Sequence, residues 1–489
     1  NVIINEDLYD HDFVDRWCYG FEELSEHVQP FTPEYAETTT WVPAERIRKA
    51  ARILAASRPA TLQWGVAVDM TKEALPAGQA IMALFQVTGN VEVPGGIIVP
   101  PEILNYGGGW GFELLGDEQN ERRLGLDKYS LFRLGFQAAH PNTTVEAMKT
   151  GRPYPIKAAW VQTSNFLACM SANSTEVAEC FRKLDFVAGA DLFMTPTIMA
   201  FYDVVLPAAT YEERDGFGGL NAYRISCINK AIEPVGDSKP DNTIFLELGK
   251  RLTAAIKPEN QDIAWPWDDV QEMWDYALED GGFTWDELRE STWKYPEFKY
   301  RKYETGDLRP DGQPGFDTAT GRFEFWSWGY NHWGVDPMPY HIEPKDSPVS
   351  TPEKLAEYPF IATSGGRSYE FFHSEHRQLE TMREFHPWPL VTIHPEAAAE
   401  YGIEDGDWVW IETTHGRCRQ KAFLFPGIKK DTIHMEHAWW FPEQEAAEPS
   451  LYGTFDSNIN NMALNFETGQ GGIGSGIKSF LAKIYPYVE

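Results

Sequence analysis

The sequence predicts an α/β fold that ends in a β-barrel, and three observations support this prediction. Helix-like and strand-like patterns alternate up to residue 250, which is typical of a parallel sheet covered by helices. From residue 356 the strands are short and turn signals are frequent, and this pattern indicates a barrel. The chain has 489 residues, of which 43% are hydrophobic, so it is long enough for several domains with large buried cores.

The overall charge and the cysteine content exclude several classes of protein. A formal net charge of −31 argues against a nucleic-acid or anionic-membrane partner, because phosphate groups would be repelled. The five cysteines include no CxxC pair, which argues against a zinc ribbon, an iron–sulfur cluster or a disulfide framework within these residues. No apolar run reaches the roughly 20 residues that span a bilayer, so no membrane span is expected. Localisation is left open.

Residues 1–98 are predicted to be the remainder of an α/β domain. The stretch "PAERIRKAARILAAS" has helical periodicity, "TLQWGVAV" reads as a buried strand, and "PAGQAIMALFQVTGN" is a second amphipathic helix closed by Gly89. Because Asn1 begins a segment that reads like the middle of such a domain, the chain is expected to be the later part of a longer polypeptide.

Residues 99–255 are predicted to be a second α/β domain that starts with an irregular excursion over 99–150. The excursion is rich in Gly, Pro and Asn, and a loop of that length in a compact domain is usually functional or mobile. The strands "IKAAWVQTS", "DFVAGAD" and "DVVLPAA" follow, with Asn173 as the N-cap of the helix after the first strand.

Polar residues lie at the ends of these three strands. Ser164 and Asn165 follow the first, Asp191 ends the second and Asp203 precedes the third. In parallel sheets, ligands bind at the carboxyl ends of the strands, where an aspartate can accept hydrogen bonds from a guanine or a ribose. The alternative is structural, with Asp191 capping a helix and Asp203 stabilising a turn.

Residues 256–350 are predicted to be a helical and irregular connecting segment, and residues 351–489 a barrel domain. In the barrel, "PLVTIHPEAAAEYGIEDGDWVWIETTHGRCRQKAFLF" gives a strand, a short helix and two strands joined by turns.

The barrel begins with "TSGGRSYEFFHSEHRQ", which suits an anionic ligand. Gly365 and Gly366 allow a ligand to approach the backbone, and Arg367 can pair with a phosphate in a bidentate manner. A solvated surface turn is the alternative. His373 and His376, like His434 and His437, are three residues apart, but neither pair matches a zinc-protease motif, so no metal site of this chain's own is predicted.

Several longer motifs resemble the dimethyl-sulfoxide-reductase superfamily of molybdopterin oxidoreductases. These motifs are "VTGNVEVPGG", "LDFVAGADLFMTPTIMAFYDVVLPAATYEERDG", "PLVTIHPEAAAEYGIEDGDWVWIETTHGRCRQKAFLFPGI", "HAWWFPE" and "SNINNMALN". They occur in the family's order over nearly the whole chain. The resemblance implies doubly wound Rossmann-like domains followed by a C-terminal double-psi β-barrel.

The resemblance also implies a molybdenum or tungsten ion held by two molybdopterin guanine dinucleotides. In the second domain, the residues that match contacting positions are Ser164, Asn165, Asp191, Thr195 and Asp203. In the barrel they are Gly365, Gly366, Arg367, His373, Ser374 and Asn460, and Trp64 and Gly65 match a strand end that faces the other dinucleotide. The family's CxxCxxxC segment, which binds a 4Fe-4S cluster, and its metal-ligating residue lie upstream of what Asn1 resembles, so no catalytic residue is assigned.

The excursion and "TGRPYPIKAAW" resemble one branch of the superfamily, which includes transhydroxylase, acetylene hydratase and catechol dehydroxylases. That branch implies an aromatic hydroxyl substrate, with Tyr106 and Trp110 as residues of the substrate funnel, and an aromatic-stabilised loop is the alternative. The expected partners are the upstream segment of the polypeptide and a ferredoxin-like iron–sulfur subunit. The alternative to an enzyme is a structural or electron-carrying subunit of the same fold.

Overall fold

The computed structural model of the protein describes residues 1–99, 117–132, 138–169, 173–221, 224–260, 265–294, 297–462, 468–476 and 478–488. The α-helices are α1 Val2–Asn5, α2 His11–Trp17, α3 Phe21–His27, α4 Pro33–Thr40, α5 Ala44–Ala56, α6 Val66–Asp69, α7 Ala74–Val87, α8 Asp117–Glu121, α9 Pro141–Thr150, α10 Phe166–Cys169, α11 Ser174–Phe181, α12 Pro196–Phe201, α13 Asp241–Ile256, α14 Val270–Leu278, α15 Trp285–Ser291, α16 Lys302–Thr305, α17 Trp328–His332, α18 Glu380–Phe385, α19 Pro395–Glu400 and α20 Thr454–Ser457. The strands are β1 Cys18–Tyr19, β2 Ala158–Gln162, β3 Phe186–Asp191, β4 Val204–Pro207, β5 Gly216–Asn221, β6 Arg224–Ile228, β7 Trp293–Lys294, β8 Phe323–Glu324, β9 Phe360–Ser364, β10 Leu390–Ile393, β11 Trp408–Glu412, β12 Arg417–Leu424, β13 Thr432–Met435 and β14 Ser479–Pro486.

The first region is mainly helical over its described residues, with one short strand, β1. Both predicted helices are confirmed as α5 and α7, and Gly89 follows α7 with a positive φ of 66°. The predicted strand "TLQWGVAV" is wrong, because residues 61–65 form no strand and residues 66–69 are helix α6. A strand needs a hydrogen-bonded neighbour, and no described strand pairs with this segment.

The core of this region includes residues from much later in the sequence. Phe13, Phe85 and Val87 pack with Tyr303 and Phe325, and β1 pairs in parallel with β8. The segment around residue 300 therefore closes the first core as well as connecting later elements.

A buried ion pair joins the "TGNVEVPGG" turn to α16. The Lys302 ammonium lies 3.1 Å from the Glu92 carboxylate, and the two side chains are 8% and 0% exposed. Lys302 Nζ also donates to the Val99 carbonyl at 2.7 Å, while the Val99 N–H donates to Glu92 at 2.6 Å. These bonds satisfy both charges, which is the condition for burying an ion pair.

The second region contains the predicted parallel sheet. Its strands are β2, β3 and β4, in the order β2-β3-β4, and the backbones of β2–β3 and β3–β4 run parallel. The central strand β3 is buried from Val187 to Ala190, as its continuous apolar run predicts. Polar side chains at the carboxyl ends of these strands therefore meet at one edge of the sheet.

The tryptophan-rich segment packs as helices against an antiparallel sheet, which agrees with the prediction of helix plus connections. Strands β5, β6 and β7 form this sheet, and α14 and α15 cover it. The buried rings of Trp274 and Trp285 lie 4.2 Å apart between the helices.

The last region is a closed six-stranded barrel in the order β10-β12-β11-β14-β9-β13. The pairs β10–β12 and β9–β13 are parallel and the other pairs are antiparallel. Alternate residues of β11 and β12 point into the core, including Val409, Ile411 and Cys418. The predicted barrel is confirmed, whereas its double-psi topology stays a prediction.

Over the described part of the chain, no helix is both long enough and apolar enough to cross a lipid bilayer. Within the same residues all five cysteines are free.

The ion pair gives a test of the first core. Substituting Lys302→Met should lower the free energy of unfolding by about 3–5 kcal/mol, because it leaves the Glu92 carboxylate buried without a cation. Urea unfolding followed by tryptophan fluorescence measures the change. Lys430→Met removes one partner of the exposed Lys430–Glu396 pair and should change stability by about 0.5 kcal/mol or less. Equal effects of the two substitutions would contradict this account of the core.

Candidate functional site

The carboxyl edge of the parallel sheet brings together the polar residues that the sequence singles out after β2 and β3. Ser164 and Asn165 follow β2, and Asp191 ends the adjacent strand β3. The Asp191 carboxylate accepts a hydrogen bond from the Leu192 N–H at 2.7 Å. Burial raises the pKa of Asp191, and the carboxylates of Asp241 and Glu375 add to the rise. Because Glu375 belongs to the barrel region, the edge of the sheet faces the barrel.

Asn165 is held rigidly and has an unused donor. Its Oδ1 accepts hydrogen bonds from the Thr197 hydroxyl at 2.8 Å and from the Thr197 N–H at 3.3 Å. Its Nδ2 is buried without a hydrogen-bond partner among the described residues. An unpaired buried donor is costly, so this atom is suited to meet an acceptor on a ligand.

Two of the predicted sheet residues have structural roles in this geometry. Thr195 is buried and caps α12 by accepting a hydrogen bond from the Ile198 N–H at 3.4 Å. Asp203 accepts from the Val187 N–H at 2.8 Å, at the amino edge of the sheet. Four residues of strand, roughly 13 Å, therefore separate Asp203 from the edge that carries Asp191. The geometry supports the turn-stabilising alternative for Asp203.

The glycines of "TSGGR" form a tight turn that contacts the side chains of Lys478 and His434. Gly365 has a φ of 99°, and a Cβ atom on it would collide with the Lys478 ammonium. The Gly366 N–H donates to His434 Nε2 at 3.1 Å, and Lys478 Nζ donates to the Ser364 carbonyl at 3.3 Å. Burial, and then the charge of Arg367, lower the pKa of Lys478.

Arg367, His373 and His437 form a hydrogen-bonded chain beside this turn. Arg367 Nη2 lies 3.2 Å from His373 Nε2, and His373 Nδ1 lies 2.8 Å from His437 Nε2. Burial, and then nearby positive charge, lower the pKa of His373, and the same causes lower the pKa of His437 to about 3. Both rings are therefore neutral at pH 7.

Arg377, which lies behind the hydrogen-bonded side chains of Arg367, His373 and His437, is almost wholly buried. Its guanidinium donates to the carbonyls of His373 and His437 and stacks on the rings of Phe371 and Trp439, 3.9 and 4.2 Å away. Its Nε and Nη1 have no partner among the described residues, and burial lowers its pKa to about 9. The turn is therefore surrounded by positive charge in a chain whose net charge is strongly negative.

Hydrogen bonds from the barrel to α10 bring this cationic turn to the edge of the sheet. Asn458 Nδ2 donates to the Leu167 carbonyl at 3.0 Å and to the Ser174 hydroxyl at 3.3 Å. The Asn173 N–H donates to the Asn460 carbonyl at 2.8 Å, and Cys169 Sγ lies 2.9 Å from the Ser374 hydroxyl. Ser374 and Asn460 thus lie against α10, which directly follows Ser164 and Asn165.

The remaining predicted residues lie apart from this junction. Trp64 and Gly65 are exposed, and Trp64 lines a cavity of about 960 Å³ beside α7. The same cavity is lined by Phe132, Tyr330 and Gln86, whose buried Nε2 has no partner among the described residues. Tyr106 and Trp110 lie outside the described residues.

Sequence reasoning missed four residues of the site, namely Lys478, His437, Arg377 and Asn458. His437 belongs to "HMEH", whose spacing suggests only a pair of metal ligands, and Arg377 stands in "HSEHRQ". No described group of three or more His, Cys, Asp or Glu side chains is arranged to hold a metal ion.

Comparisons with known proteins match one family model to a segment that includes the parallel sheet and another to the barrel. A family model described as molybdopterin oxidoreductase matches residues 44–251, and one described as molydopterin dinucleotide binding domain matches residues 361–467. The chain is 31% identical to acetylene hydratase of Syntrophotalea acetylenica over 478 residues, covering 91% of this chain and 62% of that protein. It is 30% identical to dopamine dehydroxylase of Eggerthella lenta over 546 residues, covering 95% of this chain and 53% of that protein.

The structure is similar to that of acetylene hydratase from Pelobacter acetylenicus. The TM-score is 0.88 at 29% sequence identity, over 100% of this chain and 69% of the other. The chain thus spans between about half and two thirds of the length of these relatives.

Asn458 gives a test of the junction. Asn458→Ala should cost about 1–3 kcal/mol for each buried group that loses its partner, among them the Leu167 carbonyl and the Asn460 N–H. Urea unfolding measures the loss of stability, and limited proteolysis should cut the variant between the sheet region and the barrel. The exposed Asn331 is the control, and Asn331→Ala should leave both measurements unchanged. Unaltered proteolysis of the Asn458 variant would argue against this role for the junction.

Proposed function

Because the chain belongs to the molybdopterin oxidoreductase family, we propose that it binds a molybdenum or tungsten cofactor made of two molybdopterin guanine dinucleotides. We further propose that it works as the C-terminal portion of an oxidoreductase that acts on an aromatic hydroxyl compound. The observation that carries the proposal is the convergence of unpaired buried donors and positive charge where the sheet edge meets the barrel turn.

The donor set at this junction fits a dinucleotide. Asp191 offers a carboxylate for the two N–H groups of a guanine, and Asn165 Nδ2 offers a donor for an acceptor oxygen. At the turn, Arg367 and Lys478 supply positive charge, and Gly365 lets the Lys478 ammonium lie against the backbone where a Cβ atom would otherwise be. These residues hold and orient the ligand and exclude water from it. When bound, the metal supplies two-electron redox or hydration chemistry.

The cavity beside α7 supports the proposal that a second dinucleotide and the substrate bind there. Its volume of about 960 Å³ and its aromatic walls, including Trp64, Phe132 and Tyr330, suit a planar ligand. Gln86 contributes an unpaired buried donor there. An aromatic hydroxyl substrate is also consistent with the name of the relative dopamine dehydroxylase. The assignment of Tyr106 and Trp110 to a substrate funnel stays a prediction.

Three further expectations stay predictions. They are a metal ligand and a 4Fe-4S cluster in protein outside these 489 residues, and a ferredoxin-like partner subunit.

Substitutions at the junction test the cofactor proposal. In the cofactor-loaded protein, Asp191→Ala and Arg367→Ala should each reduce retention about tenfold or more, because each removes a partner of buried ligand groups at a cost of about 1–3 kcal/mol. Metal analysis and release of guanine nucleotide on denaturation measure retention. Asp203→Ala should lower stability without changing cofactor content, since its carboxylate binds the Val187 N–H at the far edge of the sheet.

Full occupancy in both the Asp191 and Arg367 variants would refute the proposed contacts. Loss of cofactor in the Asp203 variant, at unchanged stability, would mean that the sheet edge has been assigned wrongly.

A further inference from the structure

The donor capacity of arginine fixes the protonation of the Arg367–His373–His437 chain. A guanidinium can only donate, so His373 Nε2 accepts the bond from Arg367 at 3.2 Å. The proton of the neutral His373 ring is therefore on Nδ1, which donates to His437 Nε2 at 2.8 Å. His437 in turn carries its proton on Nδ1. In this state the lone pair of His373 Nε2 points at Arg367. Of the three hydrogen-bonded side chains, Arg367 is the one that is exposed to solvent.

An anion that draws Arg367 away removes the donor from His373 Nε2. Arg367 rests on the Phe372 ring, 4.2 Å from its centroid, and its side chain is exposed to solvent, so it is free to turn toward an anion. Once the guanidinium turns to the anion, Nε2 is left facing both a negative charge and solvent. A proton on Nε2 would then donate to the anion, while Nδ1–H keeps its bond to His437. A ring that donates from both nitrogens is an imidazolium.

Other charged groups near the histidine pair also affect whether it takes up a proton. Lys478 and Arg377 oppose a positive charge on the histidine pair, and Glu375 favours one. The backbone of His373, with a φ of 52°, is held by the hydrogen bond that its carbonyl accepts from Arg377, and its ring is held by the bond to His437. The ring therefore stays in place when Arg367 moves, and the change is confined to its proton.

We propose that this turn binds a doubly charged anionic group, such as the pyrophosphate of a dinucleotide, together with one proton that is taken up by the His373–His437 pair. This inference rests on the proposed function and deepens it, because it states in which protonation state the turn holds its ligand. The proton comes from hydronium or a protonated buffer, whose bond to it breaks as the N–H bond at His373 Nε2 forms, and the hydrogen bond from Arg367 is given up while no other covalent bond changes. By linkage, affinity for the anion rises as pH falls, approaching about tenfold per pH unit between the pKa values of the free and bound forms.

Inorganic sulfate is a suitable probe, because it keeps two charges at every pH used and so contributes no proton of its own. Ring-nitrogen NMR of the histidine-labelled 489-residue chain, with and without saturating sulfate, follows the proton directly. Sulfate should raise the pKa of His373 by about one unit or more and convert Nε2 from an acceptor to an N–H. The signals are assigned from the variants His373→Gln and His437→Gln.

Two further samples keep the test decisive. Arg367→Gln removes the guanidinium charge, so it should raise the pKa of His373 even without sulfate. His394 caps α19 elsewhere in the barrel and is the internal control, whose ring-nitrogen chemical shifts at a given pH sulfate should leave unchanged. Sulfate binding with His373 still neutral would overturn the inference but leave the anion site standing. The absence of any sulfate effect on the turn would overturn both the inference and the barrel half of the proposed site.

Discussion

The site depends on a small set of hydrogen bonds between the barrel and helix α10, of which those of Asn458 are central. This side chain is fully buried and uses its amide to bind a carbonyl of α10 and the first residue of α11, while its oxygen receives the Asn460 N–H. The sheet edge and the glycine turn come from segments about 200 residues apart in sequence, and this junction brings them together. Their combination exists only as long as this junction is formed.

The parts of the fold that local sequence could predict are those in which local pattern and packing agree. The three strands of the parallel sheet, helices α5 and α7, and the strand–helix–strand–strand run of the barrel all follow from periodicity and turn residues. The strand expected at "TLQWGVAV" failed for a physical reason. Its composition suits a buried strand, but the backbone of a strand needs a neighbouring strand as its hydrogen-bond partner. Whether such a neighbour is present cannot be read from the segment itself.

The candidate site also contains residues that local sequence could indicate and residues that only the fold brings together. Gly365, Gly366, Arg367 and Asp191 could be found because glycines with charged neighbours and aspartates at strand ends are local signals. Lys478 and His437 could not be found, because only the closing of the barrel brings them to the turn, from positions more than 60 residues away. The sequence could not place Asp203 at one edge of the sheet, because a polar residue beside a strand looks the same at either edge. Only the direction of the strand in the folded sheet shows that Asp203 lies at the amino edge.

The order of strands in the barrel also governs when this half of the protein can be assembled. Strand β14 ends at residue 486 and lies between β11 and β9, so it pairs with the strand that opens the barrel. The barrel therefore stays open between β11 and β9 until β14 has paired, and Lys478, which immediately precedes β14, reaches the glycine turn only then. Whatever loads this turn must act after β14 has joined the barrel, and a chain that lacks β14 should fail at loading rather than at chemistry.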